Sequence, residues 1–207
     1  MQPTRSRKSS TQARGRARRE ALLGAARTLL TERTLAQIEL SDVAALAGIP
    51  KSSAYYFYGD IHALYAELAA LHDEELNDAF AAPMPRLKDW EAVIGLLIDR
   101  AADYFFENSS ACQLMFGPQT PPDIKWISRS ADKTHSAVFE EQIDRQFLMP
   151  EFPDRDRVFF RAVEATDLMF GLSILEFGAL TERMVEEAKI MACAYLRVYI
   201  PPILPRR

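Results

Sequence analysis

Apolar residues recur at three- and four-residue spacing along most of the chain, and no alternating run of apolar and polar residues is longer than four residues. This spacing places side chains on one face of a helix, whereas a half-buried strand requires strict alternation. Only 8 of the 207 residues are glycine, too few for the tight turns of a β-sandwich or a glycine-rich nucleotide fold. The pattern therefore predicts an all-α protein whose helices end at glycine and proline residues.

Helical segments and their breaks divide the chain into three predicted parts. Residues 1–16 offer almost nothing to bury and are predicted to be a disordered basic arm. Residues 17–60 are predicted to form a three-helix domain, and residues 61–207 a second helical domain. The clearest break of the whole chain lies at Pro83 and Pro85. The predicted helices begin near residue 17 and then cover about 40–47, 51–57, 61–81, 89–108, 110–116, 123–148, 154–180 and 182–200.

Basic residues are concentrated at the N-terminus. Residues 1–19 contain seven Arg or Lys and no acid, so the other 188 residues contain 18 basic and 29 acidic side chains. A short basic segment on an otherwise acidic chain indicates that the segment binds an anionic partner. The alternatives are a solvated tail and an organellar targeting segment, and this stretch lacks the amphipathic face that a targeting segment needs.

The cysteines and the hydropathy indicate a cellular compartment. Cys112 and Cys193 are the only cysteines, and two cannot make a disulfide framework, which favours a reducing environment. No apolar run reaches about 18 residues without a charge, so no transmembrane helix is expected. We expect a cytoplasmic protein that does not contact a membrane.

Two short helices joined by a tight turn form the most informative pattern. The first covers about 40–47, Gly48 supplies the turn, and the second begins at Lys51, as in a helix-turn-helix. Val43 and Leu46 are predicted to point inward from the first helix. In a helix-turn-helix the second helix enters the major groove of DNA and the first crosses the backbone. A purely structural helix hairpin is the alternative.

The second helix of this pair presents polar and aromatic side chains. Ala54 and Tyr58 lie four residues apart and are predicted to face the core. The residues left to face outward include no acid and are Lys51, Ser52, Ser53, Tyr55 and Tyr56. Lysine reaches guanine or phosphate, serine pairs with either, and tyrosine hydroxyls bond phosphate oxygens. This surface is therefore predicted to contact DNA.

A longer stretch, Arg19 to Tyr65, repeats the spacing of a known DNA-binding domain. It contains Ala25-Ala26, Leu29-Leu30, Glu32, Asp42-Val43-Ala44, the run AGIPKSSAYYFY from Ala47 to Tyr58, and Leu64. This stretch resembles the N-terminal domain of TetR-family transcriptional repressors. The resemblance implies a three-helix domain that binds operator DNA as a dimer, and a C-terminal helical domain that binds a small-molecule effector and thereby releases the DNA.

Three residues depart from the family pattern. Thr34 replaces the glycine that usually ends the first helix, and because a β-branched residue disfavours left-handed geometry, we expect a different helix end. Glu39 stands where a capping threonine is common, and Ile61 where a lysine often contacts phosphate. The basic arm can compensate, because its arginines can enter a minor groove. The predicted DNA-binding residues are Arg16, Arg18, Ser41, Lys51, Ser52, Ser53, Tyr55 and Tyr56.

The predicted helix 154–180 is apolar nearly all round and is expected to be buried on several sides. Asp167 lies within an aromatic stripe of this helix, where an unpaired carboxylate is costly, so it needs a partner or a ligand group. The predicted effector pocket is lined by Phe105, Met115, Phe116, Trp126, Phe139, Asp167 and Phe170. Solid core is the alternative for each aromatic. We expect a mostly apolar effector with one hydrogen-bonding or cationic group.

A neighbouring face of the same helix is predicted to form a dimer interface. Small residues seven positions apart allow another helix to approach closely, and the resemblance implies a bundle of two helices from each subunit. Packing within one subunit is the alternative. The predicted interface residues are Leu168, Gly171, Leu175, Gly178, Ala188, Met191, Ala192 and Tyr195.

Catalytic and metal-binding motifs are not expected. The chain has three histidines and two cysteines but no HExxH or CxxC motif, so we predict neither metal nor cofactor, and we interpret residues 72–75 as a solvated helical turn. The expected function is that of a DNA-binding transcriptional regulator, a repressor released from a palindromic operator by its ligand. The alternatives are an architectural DNA-binding protein and a small helical enzyme using Asp167 or Glu176.

Overall fold

The computed structural model describes the backbone of residues 5–207 and the side chains of residues 12–207. Within these residues the chain is helical, as predicted, with no strand longer than an isolated bridge. The helices are α1 (Arg5–Glu32), α2 (Leu40–Leu46), α3 (Lys51–Phe57), α4 (Ile61–Ala81), α5 (Trp90–Glu107), α6 (Ser109–Phe116), α7 (Pro122–Asp144), α8 (Arg155–Phe177) and α9 (Glu182–Leu196).

The first helix is longer than the sequence predicts. It begins at Arg5 rather than near Ala17, so the part of the predicted disordered arm from residue 5 to residue 16 is helical, and residues 1–4 lie outside the described residues. This segment has no apolar face, and seven of its twelve residues are Arg, Lys, Gln or Ala, which have good helix propensity.

The chain forms two compact units, Met1–Leu68 and Ala69–Arg207. The division lies inside α4, whereas the sequence predicts a boundary between residues 60 and 61. The first two turns of α4 belong to the first unit because Leu64, Tyr65 and Leu68 are buried there. The core of this unit is completed by buried residues of α1, α2 and α3, namely Leu22, Ala26, Leu30, Val43 and Ala54.

The second unit contains one continuous hydrophobic core. Helix α8 packs against both α7 and α9, and α5 packs against α7 and α9. Trp90 is fully buried, and its indole N–H donates to the carbonyl of Pro201 at 2.9 Å, so the end of the chain is tied to the start of α5. No helix in the described part of the chain is long and apolar enough to cross a bilayer.

Candidate functional site

The turn between α2 and α3 depends on one glycine. Gly48 has φ +65°, a left-handed conformation that residues with a side chain rarely adopt. The N–H of Ile49 donates to the carbonyl of Ala44 at 3.0 Å across this turn, a hydrogen bond typical of a helix that ends in a left-handed residue. Pro50 then precedes α3, and its carbonyl accepts from Ser53 and Ala54.

Helix α3 is held to its unit by two buried side chains. Ala54 is fully buried and Tyr58 is 2% exposed, so both predicted core positions are confirmed. The guanidinium of Arg19 lies 5.7 Å from the ring centre of Tyr58 and also pairs with Glu67 at 3.8 Å. Burial, followed by the charge of Glu67, raises the pKa of Tyr58. The phenol therefore stays neutral and fixes one face of α3.

The opposite face of α3 is open to solvent. Lys51, Ser52, Tyr55 and Tyr56 are exposed and Ser53 is half-buried. Tyr56 is 86% exposed, which is unusual for so large a ring and leaves its hydroxyl available. The ammonium of Lys51 lies 5.8 Å from the ring centre of Tyr55. The surface carries a cation, hydroxyls and no acid, so it can bind phosphates and base edges, although contact with DNA stays a prediction.

The other predicted DNA-binding residues lie outside α3. Arg16 and Arg18 are exposed on α1, where they can reach an anion. Ser41 is half-buried, and its hydroxyl donates to the Glu39 carboxylate at 3.0 Å. Leu46 is 52% exposed, so the prediction that it points inward is wrong. It is the last residue of α2, and the chain turns away at Gly48.

The departures from the family pattern are accommodated locally. Thr34 is extended, with φ −78° and ψ 159°, and precedes a 3-10 turn at Leu35–Gln37. Its N–H donates to the Gln37 side chain at 3.0 Å, so α1 ends without a left-handed residue, as predicted. The N–H of Glu39 donates to the Asp42 carboxylate at 3.0 Å, which caps α2.

The second unit contains a cavity of about 420 Å³ lined by residues of α4 to α8. This volume lies within the usual range for small-molecule sites. Four of the predicted pocket residues line it, namely Phe105, Met115, Phe116 and Asp167. The rings of Phe105 and Phe116 meet edge to face at 4.9 Å and form part of its apolar wall.

Three predicted pocket residues do not line this cavity. Trp126 is 73% exposed, because it lies on the solvent face of the amphipathic helix α7. Phe139 packs on Phe80 with ring centres 5.4 Å apart, and Phe170 is fully buried. Both belong to the core behind the cavity, so for them the solid-core alternative holds.

The cavity also contains acids that sequence reasoning missed. Asp167 of α8 is joined by Glu164 of the same helix, Asp132 of α7 and Asp73 of α4. Asp73 is only 7% exposed, so the interpretation of residues 72–75 as a solvated turn is wrong. Asp73 shares a helical face with the buried residues Leu76 and Phe80. Glu164 and Asp167 are three residues apart and therefore share a face of α8, which is the one sequence pattern that indicates a second acid beside Asp167.

The four carboxyl groups affect each other. Burial, reinforced by the charges of Asp132, Glu164 and Asp73, holds the pKa of Asp167 well above its ordinary value. Burial also raises the pKa of Asp73 to about 7, with Asp132 adding to the rise and His135 opposing it. Burial raises the pKa of Glu164, against the effect of Arg129. Part of this cluster is therefore protonated at neutral pH.

The predicted dimer face is only partly exposed. Leu168 and Leu175 are exposed, at 52% and 68%, and Met191 is 40% exposed. Gly171 is half-buried with open space beside it, and Gly178, at φ +74°, follows the end of α8. The half-buried Tyr195 packs on Tyr199 with ring centres 5.5 Å apart.

Two predicted interface residues must be corrected. Ala188 and Ala192 are 0% and 1% exposed, because their face of α9 packs into the core of their own subunit. The sequence missed two exposed apolar side chains near them, Ile190 at 61% and Val198 at 75%.

In the described residues, no group of three His, Cys, Asp or Glu side chains is placed to hold a metal ion. Both cysteines are buried. Burial raises the pKa of Cys112 to about 12 and is the main cause of the rise in the pKa of Cys193 to about 11. Their thiols are therefore protonated and unreactive at neutral pH.

Comparisons with known proteins identify the fold. The structure is similar to that of a TetR-family transcriptional regulator from Streptomyces coelicolor, with a TM-score of 0.67 and 17% identity over 88% of this chain and 80% of that chain. It is also similar to the fatty acid degradation regulator FadR from Bacillus halodurans, with a TM-score of 0.65 and 12% identity over 86% and 94% of the two chains. A TetR transcriptional regulator from Rhodococcus sp. RHA1 has a TM-score of 0.63 and 14% identity over 87% and 96%.

Identities this low support the fold alone, and the family is established by sequence. No curated protein sequence matches this chain. Residues 88–199, more than half of the chain, match the family described as Tetracyclin repressor-like, C-terminal domain. The chain therefore belongs to the TetR family of transcriptional regulators.

Proposed function

We propose that this regulator is a repressor that binds a palindromic operator as a homodimer and is released by a small, mostly apolar ligand. The observation that carries the proposal is the exposed face of α3, which combines Lys51, two serines and Tyr56 and includes no acid. An acid-free surface on the second helix of a helix-turn-helix suits the phosphate-lined major groove. We also propose that the protein acts in the cytoplasm, since its two cysteines are free.

In this proposal the residues of α3 have two roles. Lys51 lies in the first turn, where recognition helices contact base edges, and it reads guanine or a neighbouring phosphate. Tyr56 anchors the helix to phosphate through its hydroxyl and carries no sequence information. Arg16 and Arg18 add phosphate or minor-groove contacts from α1.

Dimerisation is supported by exposed apolar side chains on α8, on α9 and directly after α9. Leu168, Leu175, Ile190 and Val198 are each more than half exposed, and exposed apolar area marks interaction surfaces. Leu168 and Leu175 also line the cavity. A two-fold dimer presents two copies of α3 to successive major grooves, about 34–36 Å apart. The operator is then palindromic because the dimer is symmetric.

Release requires that the ligand prefer the conformation that does not bind DNA. A hundredfold preference supplies about 2.7 kcal/mol of coupling, within the usual allosteric range. The proposed binding site is the cavity of about 420 Å³ in the second unit. Its wall of Phe105, Met115 and Phe116 suits an apolar ligand.

A binding titration tests the proposal. An operator is first selected from a random duplex library, and its affinity is compared with that of a shuffled duplex over a range of salt concentrations. We expect the operator to bind at least about a thousandfold tighter. Equal affinity for both duplexes, with a steep salt dependence, contradicts the proposal and indicates an architectural DNA-binding protein.

The same titration separates the proposed roles on α3. Tyr56→Phe removes only the hydroxyl and is expected to weaken operator and shuffled duplexes by the same factor, about 2–10-fold for one hydrogen bond. A change in the ratio of the two affinities contradicts the assignment of Tyr56 to phosphate.

A further inference from the structure

The cavity contains buried hydrogen-bonding atoms that find no partner in the described part of the chain. They are Oδ2 of Asp132, Nε2 of His135, Oε1 of Glu164 and Oγ of Ser128, and all four residues line the cavity. Asp132 and His135 are only 5% and 3% exposed, so bulk water does not replace the missing partners. A buried polar atom without a partner costs about 1–3 kcal/mol, and here all four residues lie around the same cavity.

Three of these four atoms are acceptors. Nδ1 of His135 lies 3.4 Å from Oδ1 of Asp132, and we assign the ring proton to this nitrogen because it faces a carboxylate. In an imidazole whose single proton is on Nδ1, Nε2 accepts, as do the carboxylate oxygens of Asp132 and Glu164. The missing partner must therefore supply several N–H or O–H donors.

Acidic side chains also outnumber Lys and Arg in the lining, where four carboxyl groups face Lys125 and Arg129. Asp73 and Asp167 form no ion pair with Lys or Arg in the described residues. Glu164 pairs with Arg129 at 3.3 Å, but the Arg129 side chain is 62% exposed and lies toward solvent. The interior of the site thus offers more carboxyl groups than cations.

We propose that the effector is an organic cation with several N–H donors, an amine or amidine whose charged head lies among Asp73, Asp132, Glu164 and Asp167. Its apolar body lies against Phe105, Met115 and Phe116. This inference rests on the proposed function and specifies the ligand class of the same cavity. A carboxylate head would add a like charge to the cluster, and a single hydroxyl would satisfy only one acceptor.

Ligand binding is coupled to protons. The groups that face the cluster are Asp73 from α4, Lys125, Arg129, Asp132 and His135 from α7, and Glu164 and Asp167 from α8. Burial raises the pKa of Asp73 to about 7 and also holds that of Asp167 well above its ordinary value. A bound cation favours the charged carboxylates, so binding releases protons. Affinity for the cation therefore rises as the pH increases through about 7.

Three probes with the same apolar body test the inference on the full chain without DNA. They are phenylbutylamine, phenylbutanol and phenylbutanoate, compared by isothermal titration calorimetry in buffers of different ionisation enthalpy. We expect the amine to bind at least about tenfold tighter than either analogue and to release protons. No amine binding at millimolar concentration, or equal binding of the alcohol or the carboxylate, overturns the inference, and this comparison needs no variant.

Matched variants locate the charged head. Asp132→Asn and Asp167→Asn are each expected to weaken amine binding at least about tenfold, whereas Glu176→Gln on the exposed side of α8 leaves it unchanged. Unchanged amine affinity in both cavity variants overturns the inference. Because DNA is absent, a failure of the proposed operator binding does not change these results. Tight amine binding that leaves operator affinity unaffected contradicts the release mechanism but not the ligand class.

Discussion

Asp73 shows how a single carboxyl group links the cavity to folding. It is 7% exposed, and burial raises its pKa from 3.8 to about 7. Between these two pH values the folded chain holds a proton that the unfolded chain releases. Stability therefore falls as the pH rises through this window, the opposite of the behaviour of a salt-bridged carboxylate. Asp167 and Glu164, whose pKa values are also raised, act in the same direction.

Asp73→Asn is expected to raise the free energy of unfolding near pH 8 by roughly 1–3 kcal/mol, because the variant no longer buries a negative charge. It should also flatten the fall in stability between about pH 4 and pH 7. Urea denaturation at several pH values measures both effects. Asp78→Asn, an exposed position on the same helix, is the control. A destabilised Asp73→Asn variant near pH 8 would contradict the burial of an unpaired carboxyl group.

At the scale of elements, local signals predicted most boundaries. The bounds of α3 and α4 match the prediction, because Pro50 and Gly59 interrupt the pattern and Asp60 caps α4 by accepting from the N–H of Ala63 at 2.8 Å. The start of α1 could not be predicted from burial, since its first turns have no apolar face. Helix propensity is the only local signal for the start of α1.

The cavity could be predicted only in part. Phe105, Phe116 and Asp167 were identifiable because each belongs to a strong helical pattern. Asp73 and Asp132 are separated by almost sixty residues, and only the packing of α4 beside α7 and α8 brings them together. Spacing along the sequence cannot predict a contact between residues so far apart. The exposure of Trp126 shows that an aromatic residue alone does not indicate which face of a helix is buried.

The turn before α3 provides a test at this scale. Gly48→Ala is expected to lower the free energy of unfolding by about 1–2 kcal/mol, since alanine must adopt φ +65°. There is open space where its Cβ would lie, so the cost comes from the backbone. Gly59→Ala also has open space but no positive φ, and it should change stability by less than half as much. Equal effects of both substitutions, measured by urea denaturation, would exclude a special role for the turn.

For the whole molecule, dimerisation determines how DNA is read. One copy of a seven-residue recognition helix contacts few base pairs, and a two-fold dimer doubles the contacts and fixes the spacing of the half-sites. The exposed apolar side chains of α8 and α9 are the surface that we expect to associate. Because Ala188 and Ala192 are buried within their own subunit, we expect the α9 part of this surface to include Ile190 and Met191 instead.

Ile190→Glu is expected to shift the protein toward monomer, because it places a charge in an apolar interface. Sedimentation velocity at micromolar concentration measures the change. Ile203→Glu is the matched control, since Ile203 is 84% exposed and lies outside α8 and α9. If Ile190→Glu and Ile203→Glu leave the same fraction of dimer, Ile190 does not lie in the interface.

The central claim, that two copies of α3 read a symmetric operator, is tested most directly by selecting duplexes from a random library with the wild-type protein and with Lys51→Ala in parallel. Lys88→Ala, at an exposed lysine of the second unit, serves as the control. We expect a palindrome with half-sites about one helical turn apart. We also expect Lys51→Ala to relax the preference at one position in each half-site, by about 1–3 kcal/mol. An asymmetric site, or an identical site selected by wild type and Lys51→Ala, would contradict the claim.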